Sequence, residues 1–426
     1  EDVGVEDDVL RMHAGALGEE LGLPVVCVNP SSVQGPGRVG GSARLLLDIV
    51  NGRLPVLVRQ GYAGRILATR ATRDVTQVIL QDSAKIQQED FQRATRRGSE
   101  DRDGGLGDHE IEEPLYRPDD VPETMDRFDV VHFDRELDLG GGVRARFRPA
   151  GHVLGSAFVE IESSAGRVVC SGDLGNRENF LHEDAPLPFE CDAVLVESTY
   201  GDRTHRSMES TIEEFRGVLQ RAGGAGGMVM IPTFALERTQ AVLYQLARLM
   251  AADEIPRLPI YLDSPMATKM TRLYQECADE FREPVRSLCA RGEDPFDPPT
   301  LTIIRSSQES MELNSLEGGA IVIAGSGMMT GGRILHHMKH HLHRENASLV
   351  IVGYQAEGTL GRKIVEGARY VRIYGADIPV RARVSTINGF SAHADRDDLL
   401  AWLEGTGKAR VFMVHGEPPV MEAFGR

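Results

Sequence analysis

Cysteine is scarce in this sequence, and the five cysteines are scattered without a CxxC pair. Neither a disulfide framework nor a thiolate zinc site follows from them. Long hydrophobic runs are also missing, which argues against a membrane-spanning helix, because such a helix needs about 18 consecutive apolar residues. The first ten residues, EDVGVEDDVL, are the reverse of a basic, apolar signal peptide, so we expect a cytoplasmic protein.

Basic residues are outnumbered by acidic ones. The chain has 47 lysines and arginines against 64 aspartates and glutamates, a net charge of −17. This balance argues against broad, non-specific binding to nucleic acid, which depends on cations that displace counterions. The net charge does not exclude a local basic groove. With 426 residues, 41% of them hydrophobic, the chain is long enough for two domains with substantial cores.

Several short apolar runs end at a residue that can bind a metal or move a proton. GRVVCSGD ends at Asp173, DAVLVEST contains Glu197, and ARVFMVHGE contains His415. Such runs are typical of strands in α/β proteins, whose ligands gather at the carboxyl ends of the strands. One such residue alone is more often a turn residue or a helix cap. Three of them, each beside glycine or serine, predict a site.

Two further histidines lie among small residues. GHVLGSA contains His152 directly after a glycine, and FSAHAD contains His393. A flanking glycine lets the backbone approach a metal closely, and an imidazole is a common zinc ligand. Asp173 in SGDLGN is a carboxylate that could bridge two cations. Histidine and aspartate ligands suit a two-zinc site that hydrolyses a phosphate ester.

These motifs, in this order, resemble the β-CASP branch of the metallo-β-lactamase superfamily, which contains nucleic-acid hydrolases. The resemblance covers about residues 52–426 and includes ESTYGDR, IPTFALERTQ, YLDSPMA, GSGMMTGGR and VGYQAEGTLGR. It implies an α/β fold, namely an αββα metallo-β-lactamase sandwich whose N-terminal part is missing or replaced, with an inserted α/β β-CASP domain. The implied boundaries are 1–51 for a foreign fragment, 52–204 for the first part of the sandwich, 205–364 for the β-CASP domain and 365–426 for a truncated return to the sandwich.

The resemblance also implies roles for the residues in the motifs. His152 and His415 fall on zinc-ligand histidines of the family, and Asp173 falls on the aspartate that bridges the two metals. His393 falls on the histidine that protonates the leaving oxygen. Glu197 is expected to orient His393, to select its tautomer and to raise its pKa, as a general acid needs.

The main zinc motif of the family, HxHxDH, is absent. It should stand directly before a GRLP-like stretch, which is present at Gly52–Pro55. Asp48 is the nearest ligand-type side chain and is one place out of register. We therefore expect zinc as the cofactor, two ions per site in the family, with an incomplete site here. The four ligand slots hold Leu45, Leu47, Ile49 and Val50.

Residues 1–51 resemble a different family. GLPVVCVNPSSVQGPG, followed by a helix that ends in NGRLP, is similar to the middle of an extended short-chain dehydrogenase of the nucleotide-sugar epimerase type. The fragment has no GxGxxG motif. Because the first tyrosine of the chain is Tyr62, it has no YxxxK pair either. An oxidoreductase is therefore not expected.

The expected function is zinc-dependent endonucleolytic hydrolysis of RNA, impaired in this chain by the loss of HxHxDH. The alternative is a non-catalytic RNA-binding or dimerisation subunit of an RNA-processing complex. The expected partner is RNA, a homodimer is left open, and no membrane partner is expected. The number of zinc ligands separates the two functions.

Two further stretches are candidates for contact with RNA. HHMKHHLH, residues 336–343, has histidines at helical i, i+4 spacing, and we favour a solvated or RNA-facing helix over a metal site. The turn Gly325–Arg333 could receive an RNA phosphate through its backbone N–H groups or could be purely structural. The candidate RNA-binding residues are Arg238, Ser326, Thr330, Arg333, Arg362 and Ser391.

Overall fold

The computed structural model describes residues 25–27, 64–100 and 113–426 of the chain. The zinc-ligand slots at 45–50 and most of the dehydrogenase-like segment lie outside these residues. The strands are β1 Val25–Cys27, β2 Arg65–Thr69, β3 Phe128–Val131, β4 Glu136–Gly140, β5 Val143–Pro149, β6 Ala157–Ser163, β7 Gly166–Cys170, β8 Ala193–Glu197, β9 Met228–Pro232, β10 Ile260–Leu262, β11 Leu301–Ile303, β12 Ala320–Ala324, β13 Ser348–Ile351, β14 Tyr370–Ile373, β15 Ala376–Pro379, β16 Arg383–Thr386 and β17 Arg410–Val414.

Five of the described helices begin at a side chain that accepts a backbone hydrogen bond. Ser207, Ser264, Ser306, Thr359 and Asp395 each cap the helix that follows. Among the described helices, none combines the length and the apolar character needed to cross a membrane. The helices are α1 Arg70–Glu100, α2 Asp120–Met125, α3 Met208–Ala225, α4 Arg238–Ala251, α5 Pro265–Glu276, α6 Val285–Ala290, α7 Ser307–Leu313, α8 Ile334–His341, α9 Leu360–Val365, α10 Arg396–Leu403 and α11 Pro418–Phe424, with short 3-10 helices at Ala278–Glu280, Asn388–Phe390 and Glu404–Thr406.

Two sheets pack face to face in the first unit. The larger has the order β17-β8-β7-β6-β5-β4, antiparallel from β4 to β7 and parallel from β7 to β17. The smaller is parallel, with the order β1-β2-β3. Leu67 and Val131 of the smaller sheet share a buried cluster with Phe147, Ala157 and Val159 of the larger one. These apolar side chains form the layer between the two sheets.

Helices cover the outer faces of both sheets. Leu80 of α1 and Val121 of α2 pack with Ile66 of the smaller sheet. On the other side, Trp402 of α10 packs edge-on against Phe158, with ring centroids 5.3 Å apart. The layers therefore run helix, sheet, sheet, helix. This arrangement confirms the predicted αββα sandwich.

A second unit is built on a fully parallel sheet with the order β11-β10-β12-β9-β13-β16. Its central strands β9, β12 and β13 are buried on both faces, which explains their continuous apolar sequence. In β9, Val229 and Ile231 pack with α3 and α4, while Met228 and Met230 pack with α8. This is the predicted inserted α/β domain. Its sheet continues past residue 364, because β16 pairs with β13; the domain boundaries themselves stay predictions.

Candidate metal centre

Three neighbouring strands bring predicted site residues to one edge of the sandwich. Asp173 lies just after β7, Glu197 ends β8, and His415 follows β17. These strands pair in parallel, so their carboxyl ends meet. His393 reaches the same point from the loop before α10. One ligand atom from each of these four residues lies within 4.8 Å of the others. Chain positions far apart in sequence thus form one cluster of potential metal ligands.

His152 adjoins this cluster from the loop after β5. Its ring centroid lies 4.2 Å from that of His393, and its side chain is buried. Burial, reinforced by the positive charge of His393, lowers the pKa of His152 to about 4. The ring is therefore neutral near pH 7 and has a nitrogen lone pair available for a metal. All three residues that the resemblance implies as zinc ligands lie at this site.

His393 and Glu197 form a buried pair. His393 Nδ1 lies 3.1 Å from one carboxylate oxygen of Glu197 and 3.3 Å from the other. Burial acts to lower the pKa of His393, but the negative charge of Glu197 and its hydrogen bond outweigh burial and raise the pKa. The same carboxylate accepts a hydrogen bond from the backbone amide of Leu174 at 2.6 Å. The pair has the geometry of an oriented general acid.

Thr199 connects the His393–Glu197 pair to His415. Its hydroxyl donates to Glu197 Oε2 at 2.6 Å and lies 3.0 Å from His415 Nδ1. His415 Nδ1 also lies 3.4 Å from Asp173 Oδ1. The sequence analysis missed Thr199, although it stands two residues after Glu197 in ESTYGD. A hydroxyl next to a predicted acid was the available signal.

The donor set fits a zinc ion. Histidine nitrogens and a carboxylate are ordinary zinc ligands. His152 Nδ1 is buried and has no hydrogen-bond partner among residues 64–100 and 113–426. A buried polar atom of this kind is costly unless a metal or hydrogen-bond partner satisfies it. His152, Asp173 and His415 could therefore hold zinc.

Some predicted RNA-binding residues lie at this site. Ser391 precedes His393 by two positions, is buried, and has its carbonyl oxygen 3.4 Å from Asn176 Nδ2. Arg238 begins α4 and is buried, and its charge acts on the pKa of His393. Among the described residues, Arg238 Nε has no hydrogen-bond partner. Arg238 is thus a buried cation beside the cluster.

The other predicted RNA-binding residues lie on the inserted domain. Ser326 Oγ accepts from the backbone amide of Thr330 at 3.0 Å and so closes its own turn. Arg333 donates to the buried Asp263 at 2.5 Å. Arg362 pairs with Glu366 on the surface of α9. Protein groups therefore already occupy donors of both arginines.

The histidine-rich stretch is only partly a surface feature. His336 and His340 are exposed on α8, whereas His337 and His341 are fully buried. His337 Nε2 lies 2.7 Å from Asp263 Oδ2. The prediction of a solvated or RNA-facing helix is therefore wrong for its inner face. Helical spacing places the two pairs on different faces, and packing against the parallel sheet buries one of them.

A second buried cluster escaped the sequence analysis. Glu237 accepts hydrogen bonds from His182 and Tyr274, at 2.8 and 2.7 Å. Its only sequence signal was its position beside Arg238 in ALERTQ. His182 and Tyr274 gave none, because neither stands in a stretch with a recognisable chemical pattern.

Comparison with known protein families matches two stretches of the chain, one within the inserted domain and one at the C-terminal end of the given sequence. Residues 239–364 match the Beta-Casp domain, and residues 377–426 match the Zn-dependent metallo-hydrolase RNA specificity domain. The dehydrogenase resemblance of residues 1–51 finds no support in these matches.

Similar proteins include ribonucleases. The chain is 41% identical to Ribonuclease TTHA0252 of Thermus thermophilus, over 88% of this chain and 80% of that protein. It is 32% identical to the transcription termination factor FttA of Pyrococcus abyssi, over 86% of this chain and 56% of that protein, and so spans little more than half of it. It is 29% identical to an RNase J-like protein of Methanocaldococcus jannaschii, over 71% of this chain and 70% of that protein. With its αββα sandwich, inserted parallel-sheet domain and edge cluster of histidines and acids, the chain belongs to the β-CASP family of metallo-β-lactamase-fold nucleases.

Proposed function

We propose that this protein is a zinc-dependent endoribonuclease of the β-CASP family whose activity on RNA is impaired by the absence of HxHxDH. The observation that carries the proposal is the buried His393–Glu197 pair beside Asp173 and His415, with ligand atoms of all four within 4.8 Å. An oriented acid next to a metal-binding group is an arrangement that suits hydrolysis of a phosphodiester. The ribonuclease relatives support RNA as the substrate class.

Each residue of the pair has a separate task. Glu197 holds His393 through Nδ1, so that the ring gives its proton from Nε2 to the departing oxygen. The raised pKa of His393, in which the charge of Glu197 outweighs burial, keeps the ring protonated closer to neutral pH. Arg238 supplies positive charge for an RNA phosphate near the cluster, and Ser391 would contact the RNA at the same position. Ser326, Thr330, Arg333 and Arg362 would contact RNA further along the inserted domain.

His152, Asp173 and His415 would hold the metal. Bound zinc supplies Lewis-acid activation of water and neutralises charge on the phosphate. The family uses two zinc ions, and HxHxDH contributes four of their ligands. Because residues 45–50 of this sequence supply four apolar side chains in those slots, we infer that this chain holds fewer than two ions and is impaired as a hydrolase.

The apolar side chains in the four ligand slots also favour a second function. A chain without HxHxDH could serve as a non-catalytic RNA-binding or dimerisation subunit, for which the inserted domain and Arg238 remain in place. A homodimer and a cytoplasmic location belong to this proposal as well. The two functions differ in one measurable respect, which is cleavage.

The test is a repaired chimera. Residues 1–51 are replaced by a family N-terminus that ends in HxHxDH directly before Gly52. We expect the chimera to cleave single-stranded RNA with zinc and the present chain to bind the same RNA without cleaving it, because most of a metal site is absent. Equal cleavage rates for the two proteins would show that the hydrolytic assignment is wrong.

A further inference from the structure

The carboxylate of Glu237 is the centre of a buried hydrogen-bond network that joins the two units. Glu237 lies between β9 and α4 and is 3% exposed. Its Oε2 atom accepts from His182 Nε2 at 2.8 Å and from the Tyr274 hydroxyl at 2.7 Å. Its Oε1 atom accepts from Asn179 Nδ2 at 3.5 Å. His182 and Asn179 belong to the sandwich, whereas Tyr274 belongs to the inserted domain.

Two of these partners also hold the loop that carries His152. Asn179 Nδ2 donates to the carbonyl oxygen of Gly151 at 3.3 Å. The backbone amide of Leu154 donates to the Tyr274 hydroxyl at 3.4 Å. His152 lies between these two attachment points. The network around Glu237 therefore fixes the backbone on both sides of His152, a residue that fits a zinc ligand.

The far end of the loop is fixed by close packing. The backbone amide of Gly155 donates to Glu280 of the inserted domain at 3.1 Å. A Cβ atom on Gly155 would lie 2.6 Å from the backbone nitrogen of Thr72, so the loop sits directly on α1. The inserted domain thus supplies attachments along the loop, and Glu237 organises those nearest His152.

The charge of Glu237 is maintained by its partners. Burial acts to raise the pKa of Glu237, but the charge of His182 and hydrogen bonds from His182 and Tyr274 outweigh burial and lower it. An amide in place of the carboxylate keeps only one acceptor oxygen. At least one of the three donors would then lose its partner, which is costly in a buried place.

The backbone at Glu237 is also unusual. Its φ of 64° and ψ of −56° lie outside the regions that non-glycine residues normally occupy. Such conformations persist when the surrounding contacts hold them. Glu237 contacts Asn179 and Tyr274, which hold the His152 loop, while the charge of the next residue, Arg238, acts on His393.

We propose that Glu237 is a positioning residue that fixes the His152 loop against the inserted domain and thereby sets the zinc affinity of the site. The statement about the loop stands on the contacts alone. The statement about zinc rests on the proposed function. Loss of residues that orient metal ligands typically lowers metal affinity by about 10- to 100-fold.

Asp263 provides a matched control. It is another fully buried carboxylate of the inserted domain, and it accepts hydrogen bonds from Ser310, Arg333 and His337. These three partners all lie in the inserted domain, away from the His152 loop. Asp263→Asn should therefore destabilise the protein in the same way as Glu237→Gln without moving that loop.

The first measurement is hydrogen exchange of the metal-free full chain, followed by mass spectrometry of peptides that cover residues 151–155. Glu237→Gln should speed exchange of the Leu154 amide at least about tenfold relative to Asp263→Asn, in line with the loss of one buried hydrogen bond. The Gly155 amide, which donates to Glu280, should change less. Tyr274→Phe, which keeps the carboxylate but removes the acceptor of the Leu154 amide, should also speed exchange of that amide. Equal exchange in Glu237→Gln and Asp263→Asn would overturn the proposal.

The second measurement is titration of the unmodified chain, Glu237→Gln and Asp263→Asn with zinc. Glu237→Gln should bind zinc about 10- to 100-fold more weakly than the unmodified chain, and Asp263→Asn should bind as the unmodified chain does. Faster loop exchange without any zinc binding in the unmodified chain would contradict the proposed zinc function and leave the loop assignment supported. Unchanged zinc affinity in Glu237→Gln, with zinc bound by the unmodified chain, would overturn the proposal.

Discussion

His393 Nδ1 lies 3.1 Å from Glu197 Oε2, although 196 residues separate the two in the chain. The carboxylate is fully buried, and its other oxygen receives the amide of Leu174. Hydrogen bonds to His393 and to the Leu174 amide therefore hold the Glu197 carboxylate inside the four-residue cluster. This arrangement fits the role in proton transfer that we propose for the pair.

Removal of His393 should separate catalysis from metal binding. In the repaired chimera, His393→Ala should lower the rate of RNA cleavage by several orders of magnitude while zinc remains bound. The reason is that we assign the ring to protonation of the leaving oxygen. His415→Ala should lose both. Metal analysis of the purified variants, beside a cleavage assay, measures the two properties. Loss of zinc in His393→Ala would assign that ring to the metal instead.

Glu197 should set the pH dependence of cleavage. Burial alone would lower the pKa of His393, and Glu197 raises it. A general acid works in its protonated form, so the rate falls as pH rises through its pKa. Replacing Glu197 with Gln in the chimera should lower that pKa and move the alkaline fall in kcat to lower pH. A pH–rate profile measures it, and an unmoved alkaline limb would argue against His393 as the acid.

Zinc content directly tests the proposal that the metal site is incomplete. The unmodified chain should retain well under two equivalents of zinc after purification, because the four ligand slots before Gly52 hold apolar side chains. His152→Ala should lower the zinc content further. Elemental analysis of the two proteins gives the result. Two tightly held ions per unmodified chain would contradict the inference.

Arg238 should contribute to RNA binding. Its guanidinium is buried beside the cluster, and its Nε has no hydrogen-bond partner within the described part of the chain. Arg238→Gln should raise the KM of the chimera for single-stranded RNA by about tenfold, which corresponds to the loss of one charge-assisted contact. Arg216, a partly exposed residue that pairs with Glu254, is the control. The assignment fails if Arg216→Gln and Arg238→Gln raise KM equally.

His341 should make stability depend on pH. Burial, followed by the nearby charge of Arg344, lowers the pKa of His341 from 6.5 to about 4. Between these values the unfolded chain binds the extra proton, so stability is complete above about pH 6.5 and falls as pH drops towards 4. The loss should be on the order of 1–3 kcal/mol. Urea denaturation at pH 7 and pH 5 compares the unmodified chain with His341→Leu, which should lose part of the pH dependence. Exposed His343→Leu should keep it.

The edge of the sandwich was predictable because the sequence marks strand ends. Asp173, Glu197 and His415 each follow an apolar run, and parallel pairing of β7, β8 and β17 brings such positions together. His152 and His393 were also identified, from their small neighbours and the family resemblance. Local sequence and chain order therefore determined which residues could meet at this edge.

Tertiary packing decided the rest. Nothing in the sequence near His182 or Tyr274 indicates that both would donate to Glu237, since the partner of a buried polar group depends on which elements pack together. The same holds for α8. Its spacing places His336 and His340 on one face and His337 and His341 on another, but only contact with the parallel sheet determined which pair is buried. The sequence by itself determined the periodicity and the chemistry of the side chains, whereas long-range packing chose their partners and their burial.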